Sequence, residues 1–164
     1  MAHNRKNKGF TLIEMIIALG VFSVVVTAAT NLFTAGLKGQ RKSLALQYLQ
    51  NDARYALELM NKEIRMSHIG ANSTEDVLHI TTYKPSGMEV VSYFLDNGKI
   101  ARNGESLTSD RINVNRLKFY IKNQSTPPSL VTIILDINGK GTDIEQQTTM
   151  NFQTTISTRD YIGN

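Results

Sequence analysis

The sequence predicts an α+β fold, in which one long N-terminal helix, half of it suited to a membrane, packs on a C-terminal antiparallel β-sheet domain. Three observations predict it. Residues 10 to 37 hold a single charged side chain, Glu14. Apolar residues then recur at helical spacing from Leu46 to Ile64 with no proline between them. After Gly70 the pattern changes to period two, with β-branched and aromatic residues between glycine-bearing turns. At 164 residues the chain has room for one domain with an appendage, not for two large domains.

The first element is a basic leader, residues 1 to 9. Arg5, Lys6 and Lys8 lie there without an acid, and they account for most of the net charge of +4. Without them the balance is 15 basic to 14 acidic residues, so basicity is a poor argument for a nucleic-acid partner. The chain has no cysteine, which excludes a disulfide framework, a thiolate metal site and a cysteine nucleophile.

The second element, residues 10 to 37, is expected to be a transmembrane helix. A helix of that length reaches roughly 42 Å, and a bilayer's hydrocarbon core is about 30 Å thick. The basic residues before it favour a cytoplasmic N-terminus, a bias that Lys38, Arg41 and Lys42 just beyond it weaken. A secretory signal would place a small-residue cleavage site after the apolar run, and TAATNLFTAG offers a weak match. Glu14 argues against that reading. A carboxylate at the centre of a membrane helix costs about 2.5–3.5 kcal/mol, less near the interface, and a plain signal gains nothing from it. The alternatives are a partner for the carboxylate, or a side chain that snorkels to the headgroups.

The stretch KGFTLIEMIIAL resembles the processing site of type IV pilins and type II secretion pseudopilins. Leader charge, glycine, aromatic residue, TLIE and apolar run all occur in order. The resemblance implies that a membrane-bound prepilin peptidase cuts between Gly9 and Phe10 and that Phe10 is then N-methylated. It implies also that Glu14 pairs with the N-terminal amine of a neighbouring subunit in a filament. A low dielectric strengthens such a pair, and an unpaired buried carboxylate is penalised.

The third element, residues 38 to 69, is expected to continue the same helix as an amphipathic half running to about Ile69. Leu46, Leu49, Ala53, Ala56, Leu57, Met60 and Ile64 form its apolar stripe. Arg54, Glu58 and Lys62 follow at i,i+4 on the polar side. The stripe is too short and too rich in alanine for a coiled-coil seam, so it is assigned to packing on the protein's own sheet. Gly20, Gly36 and Gly39 mark places where the helix can bend.

The fourth element, residues 70 to 164, is expected to be a β-rich head of six strands: 77 to 83, 88 to 95, 99 to 102, 112 to 122, 130 to 137 and 148 to 158. PSG, DNG and NGKG are read as tight turns and STPP as a loop. Here the order of NDARYALELMNKEIRMS, VSYFLDNGKIARNG, LVTIILDINGKG and FQTTISTRD is similar to that of W-type minor pilins and the J pseudopilin of type II secretion.

No catalytic constellation is visible, and no cofactor is expected. His3, His68 and His79 are scattered, and NGKGTD places a glycine where a P-loop needs Ser or Thr after the lysine. DINGKGTDIEQQ fails as an EF-hand because Lys140 and Gln147 stand where oxygen ligands are needed. A looser calcium site from Asp136, Asn138 and Asp143 is a weak candidate beside a plain hairpin. Asn72-Ser73-Thr74 and Asn123-Gln124-Ser125 match glycosylation acceptors without arguing for modification.

What the resemblance implies is a non-enzymatic minor pilin or pseudopilin, inserted by its N-terminal helix and built into a filament near the tip. Its head would lie outside the cytoplasmic membrane. Its partners would be sister subunits and prepilin peptidase, with a platform membrane protein and an assembly ATPase acting indirectly. Two alternatives stand beside it. One is an adhesion or DNA-uptake module needing a basic face from Arg102, Arg111, Arg116 and Lys118. The other is a signal-anchored exported enzyme.

Overall fold

A computed structural model describes residues 9–84, 87–124, 128–141 and 148–159. The chain divides into two compact units, Met1–Gln40 and Arg41–Asn164. One α-helix, α1 (Leu12–Arg65), contributes its first part to one unit and its second part to the other.

In the first unit every residue from 9 to 40 is exposed, including Phe22, Val24, Val25 and Phe33. This part of α1 is long and apolar enough to cross a membrane. Its hydroxyl side chains are satisfied internally. Ser23, Thr27, Thr30 and Thr34 each donate to the carbonyl four residues earlier at 2.8 Å. Hydroxyls bonded in this way do not face lipid without a partner.

In the second unit, Leu49, Ala53, Ala56, Met60 and Ile64 are fully buried, at the three- and four-residue spacing that lays them along one face of α1. They share a core with two antiparallel sheets. The first sheet contains β1 (Ser67–Ile69), β2 (Val77–Lys84), β3 (Gly87–Asp96), β4 (Lys99–Arg102) and β5 (Glu105–Ser106), paired in sequence order. The second contains β6 (Ile112–Lys122), β7 (Leu130–Gly139) and β8 (Thr149–Ser157), again in sequence order. Leu78, Ile80, Val91, Tyr93 and Ile100 face the core from the first sheet, and Leu117, Phe119, Ile133, Leu135 and Ile156 from the second. Strand β7 alternates buried and half-buried residues along its whole length, as a central strand with one core face must.

The expected helix and single six-stranded sheet need four corrections. The helix stops at Arg65, not near Ile69. The Ser67 hydroxyl donates to the carbonyls of Glu63 and Ile64, at 2.6 and 3.3 Å, and residues 67–69 pair with residues 80–82. The strands form two sheets, because β6 leaves the first sheet. It carries a bulge between Val114 and Arg116 and meets the first sheet through isolated bonds, Val114 N–H to Gly98 C=O and Phe119 N–H to Glu75 C=O, both 2.8 Å. NGKG is not a tight turn: Asn138 and Gly139 remain in β7, with Asn138 opposite Thr149. The fourth correction is an extra hairpin at RNGE, where Asn103 and Gly104 have φ of 52° and 89° between the paired residues Arg102 and Glu105.

DNG turns as expected. Asn97 and Gly98 have φ of 48° and 74° between Asp96 and Lys99, the two positive values that a type I′ hairpin requires. A Cβ at Gly98 would meet the end of the Asn113 side chain, which would have to turn aside. In PSG, Lys84 pairs with Gly87, while Pro85 and Ser86 lie outside the described residues, as do Ser125 to Pro127 of the STPP loop.

Candidate functional site

Gly9, Phe10 and Thr11 precede the helix in non-helical conformation. Phe10 is 85% exposed, and nothing lies within 4 Å of where a Cβ on Gly9 would stand. The Gly9–Phe10 bond is therefore uncovered by the described residues. The leader residues 1 to 8, with His3, Arg5, Lys6 and Lys8, lie outside them.

Thr11 and Glu14 start the helix together. The Glu14 amide donates to Thr11 Oγ1 at 3.3 Å, and Glu14 Oε2 accepts from the Thr11 amide at 3.0 Å and from its hydroxyl at 3.2 Å. This is the reciprocal arrangement of a capping box, with threonine at the N-cap and glutamate three residues on. It satisfies two of the amides that any helix start leaves unpaired. The carboxylate also sits in the first turn of α1, where the helix dipole favours negative charge. Glu14 thus has a partner within its own chain. The signal is present in the sequence, since T-L-I-E has capping-box spacing.

The residues of the proposed basic face are not brought together as one open surface. Arg102 binds Glu63, with Nη2 2.9 Å from Oε1 and Nε 3.1 Å from Oε2. Arg116 donates to Asp136 at 2.6 Å, and Lys118 to Asp76 at 2.7 Å. Arg111 lies over the ring of Tyr48, 4.5 Å from its centroid. Each cation is engaged by a different partner.

Sequence reasoning missed Glu63, which the fold turns into a junction. Besides Arg102 on β4 it accepts a 2.6 Å hydrogen bond from the Tyr93 hydroxyl on β3. Burial, and then the hydrogen bond to Glu63, hold the Tyr93 phenol well above its ordinary range. The same carboxylate raises the pKa of Arg102.

For the calcium candidate, Asp136 and Asn138 lie two residues apart on β7, and Asp136 is occupied by Arg116. Asn138 Oδ1 is buried without a hydrogen-bond partner among the described residues, and Asp143 lies outside them. No group of three or more metal-binding side chains occurs among the described residues. His79 Nδ1 lies 2.8 Å from Ser92 Oγ, a structural contact between neighbouring strands.

Residues 4–30 match the family model of the prokaryotic N-terminal methylation motif. The match ends within the apolar part of α1 and leaves the head untouched. It supports the type IV pilin and pseudopilin superfamily, with prepilin peptidase processing and assembly with other pilin subunits. Comparison with curated proteins and with solved structures gives no match.

Proposed function

We propose that the chain is a minor pilin or pseudopilin, a non-enzymatic structural subunit of a type IV pilus or type II secretion pseudopilus. Prepilin peptidase cuts it after Gly9, Phe10 is N-methylated, and the subunit enters the filament through its N-terminal helix at or near the tip. The observation that carries the reading is the coincidence at one helix start of the methylation motif, an uncovered Gly9–Phe10 bond and a cation-free apolar helix.

The physical logic follows from the exposed apolar surface of the first unit. Such a helix is compatible with lipid or with the packed helices of a filament, so leaving the bilayer has to be coupled to burial against neighbouring subunits. Before assembly the N-terminus faces the cytoplasm and the head lies outside the membrane. Cleavage creates a cationic amine on Phe10, one residue before the Thr11–Glu14 box. In the filament Glu14 then serves twice, capping its own helix and receiving the amine of a neighbour, which sets one subunit's register against the next. The resemblance of the head segments favours the W-type minor pilins or the J pseudopilin within the superfamily.

Intact mass and N-terminal sequencing of the protein from its native membrane test this reading. A mature chain beginning with methylated Phe10 is expected. An N-terminus beyond residue 28 would mean ordinary secretion, and an intact Met1 or Ala2 a simple anchor.

A further inference from the structure

The phase of the ladder between β7 and β8 is fixed at both ends. The Thr158 amide donates to the Ser129 carbonyl at 2.9 Å, and the Gly139 amide to the Thr148 carbonyl at 3.0 Å. Opposite residues of an antiparallel pair exchange bonds at every second position. The even-numbered residues of β8, Met150 to Ile156, therefore bond to β7. Thr149, Asn151, Gln153, Thr155 and Ser157 turn their N–H and C=O groups the other way, where these groups have no hydrogen-bond partner among the described residues. Each of these residues is exposed. Arg159 follows in the same phase, and its amide reaches the Arg65 carbonyl at 3.0 Å, where the open edge ends.

This edge carries none of the devices that keep natural sheets from pairing with other chains. β8 is nine residues long, TMNFQTTIS, with no charged residue and no proline. Its register on β7 runs from Thr149 to Ser157 without a bulge. The other outer strands differ. β1 and β5 are three and two residues long, and β6 is bulged and bonds to the first sheet through the Val114 and Phe119 amides. The core layer also thins toward β8. Ile133, Leu135 and Ile137 on β7 are fully buried, while their partners Thr154, Phe152 and Met150 are only half-buried. An added strand with apolar side chains on that face would cover Met150 and Phe152.

We propose that the open edge of β8 docks an extended strand supplied by a different subunit of the same assembly. Main-chain bonds to Asn151, Gln153 and Thr155 hold the strand. Its apolar residues, at every second position, lie beside Met150 and Phe152, and uncharged polar residues between them lie beside Asn151, Gln153 and Thr155. A second copy of this chain fits poorly. Antiparallel pairing of two β8 strands needs a two-fold axis normal to the sheet, which reverses every direction in the sheet plane. The stretch of α1 from Leu49 to Ile64, packed on the sheets, would then run in opposite directions in two chains that each continue into an apolar N-terminal segment. Parallel pairing about an axis along the strand would set the core face of one sheet beside the outer face of the other. The source of the strand rests on the filament reading above, whereas the open edge itself does not.

The test uses the full-length chain in non-ionic detergent micelles and, in place of the partner strand, a short labelled peptide of alternating threonine and valine, followed by fluorescence anisotropy. With its valines beside Phe152, the peptide turns its threonine amides toward β8. N-methylation of the threonines is expected to weaken binding roughly tenfold or more, because several main-chain bonds are lost together. N-methylation of the valines, whose amides face solvent, should leave binding unchanged. Gln153→Pro removes an outward N–H without breaking a bond to β7 and should also weaken binding, with circular dichroism establishing that the variant folds. Absence of saturable binding by the unmethylated peptide, equal binding of the two methylated peptides, or undiminished binding by folded Gln153→Pro would overturn the proposal. So would a wild-type dimer, measured by analytical ultracentrifugation, that Gln153→Pro dissociates, since the edge would then join copies of this chain. The peptide needs neither cleavage at Gly9 nor filament assembly, so failure here is separable from failure of the proposed function.

Discussion

Glu63 on α1 and Arg102 on β4 form a two-point ion pair, Oε1 to Nη2 at 2.9 Å and Oε2 to Nε at 3.1 Å, across 39 residues of sequence. The Tyr93 hydroxyl completes it at 2.6 Å from Oε2. Both charged side chains are about one-fifth exposed, so the pair is shielded from water without being fully desolvated. It fixes the end of the helix to the middle of the first sheet.

Removing Arg102 leaves Glu63 with one donor in a poorly hydrated place. Arg102→Met is expected to destabilise the head by about 2 kcal/mol, below the 3–5 kcal/mol of a fully buried pair because of the residual exposure. Glu63→Gln, which still accepts from Tyr93, should cost less. Denaturant midpoints of the full chain in micelles, read by circular dichroism, check both.

The raised pKa of Tyr93 makes a pH prediction with a definite sign. The unfolded chain releases the phenolic proton near pH 10, whereas the folded chain retains it because burial and Glu63 disfavour the phenolate. The stabilisation is fully present below about pH 10 and is lost as pH rises through the folded value, with a slope approaching about 1.4 kcal/mol per pH unit. Thermal midpoints between pH 8 and 12 should fall less steeply for Tyr93→Phe than for the wild type.

Glu14 caps its own helix, and one pair of variants separates that role from the proposed pairing with a neighbouring subunit's amine. A capping box accepts Glu or Gln at its last position, so Glu14→Gln keeps the helix start but removes the charge. Glu14→Ala removes both, at about 1 kcal/mol for the cap. Incorporation into filaments, measured by immunoblot of sheared fractions, is expected to fall roughly tenfold or more for both variants, a difference of about 1.4 kcal/mol. If Glu14→Gln assembled as the wild type does, the cap would be the whole function of this residue and the intersubunit pair would be refuted.

Gly98 is constrained by its conformation. With φ at 74°, Gly98→Ala should cost about 1–2 kcal/mol, chiefly as left-handed strain, with a smaller part for displacing the Asn113 side chain. Adding Asn113→Ala should recover the smaller part only. A double-mutant cycle on unfolding free energies measures the division.

The sequence alone determined what depends on neighbours along the chain. The apolar segment from Phe10 to Leu37, the stripe from Leu46 to Ile64, fully buried except at Leu46 and Leu57, and the DNG turn are local patterns with a fixed period or a fixed backbone demand, and the structure has them. The TLIE cap and the RNGE hairpin are equally local, set by a Thr–Glu spacing of three and by an Asn-Gly pair. The tertiary structure decided what depends on residues far apart. No periodicity shows that Glu63 meets Tyr93 and Arg102, or that Arg116 and Lys118 are taken by Asp136 and Asp76. Nor does it show that β6 bulges at Asn115 and leaves the first sheet, or that Arg111 lies over the ring of Tyr48. A charge on a helix or strand looks the same in sequence whether water or another element receives it, and only the folded core sets which side chains it brings within reach.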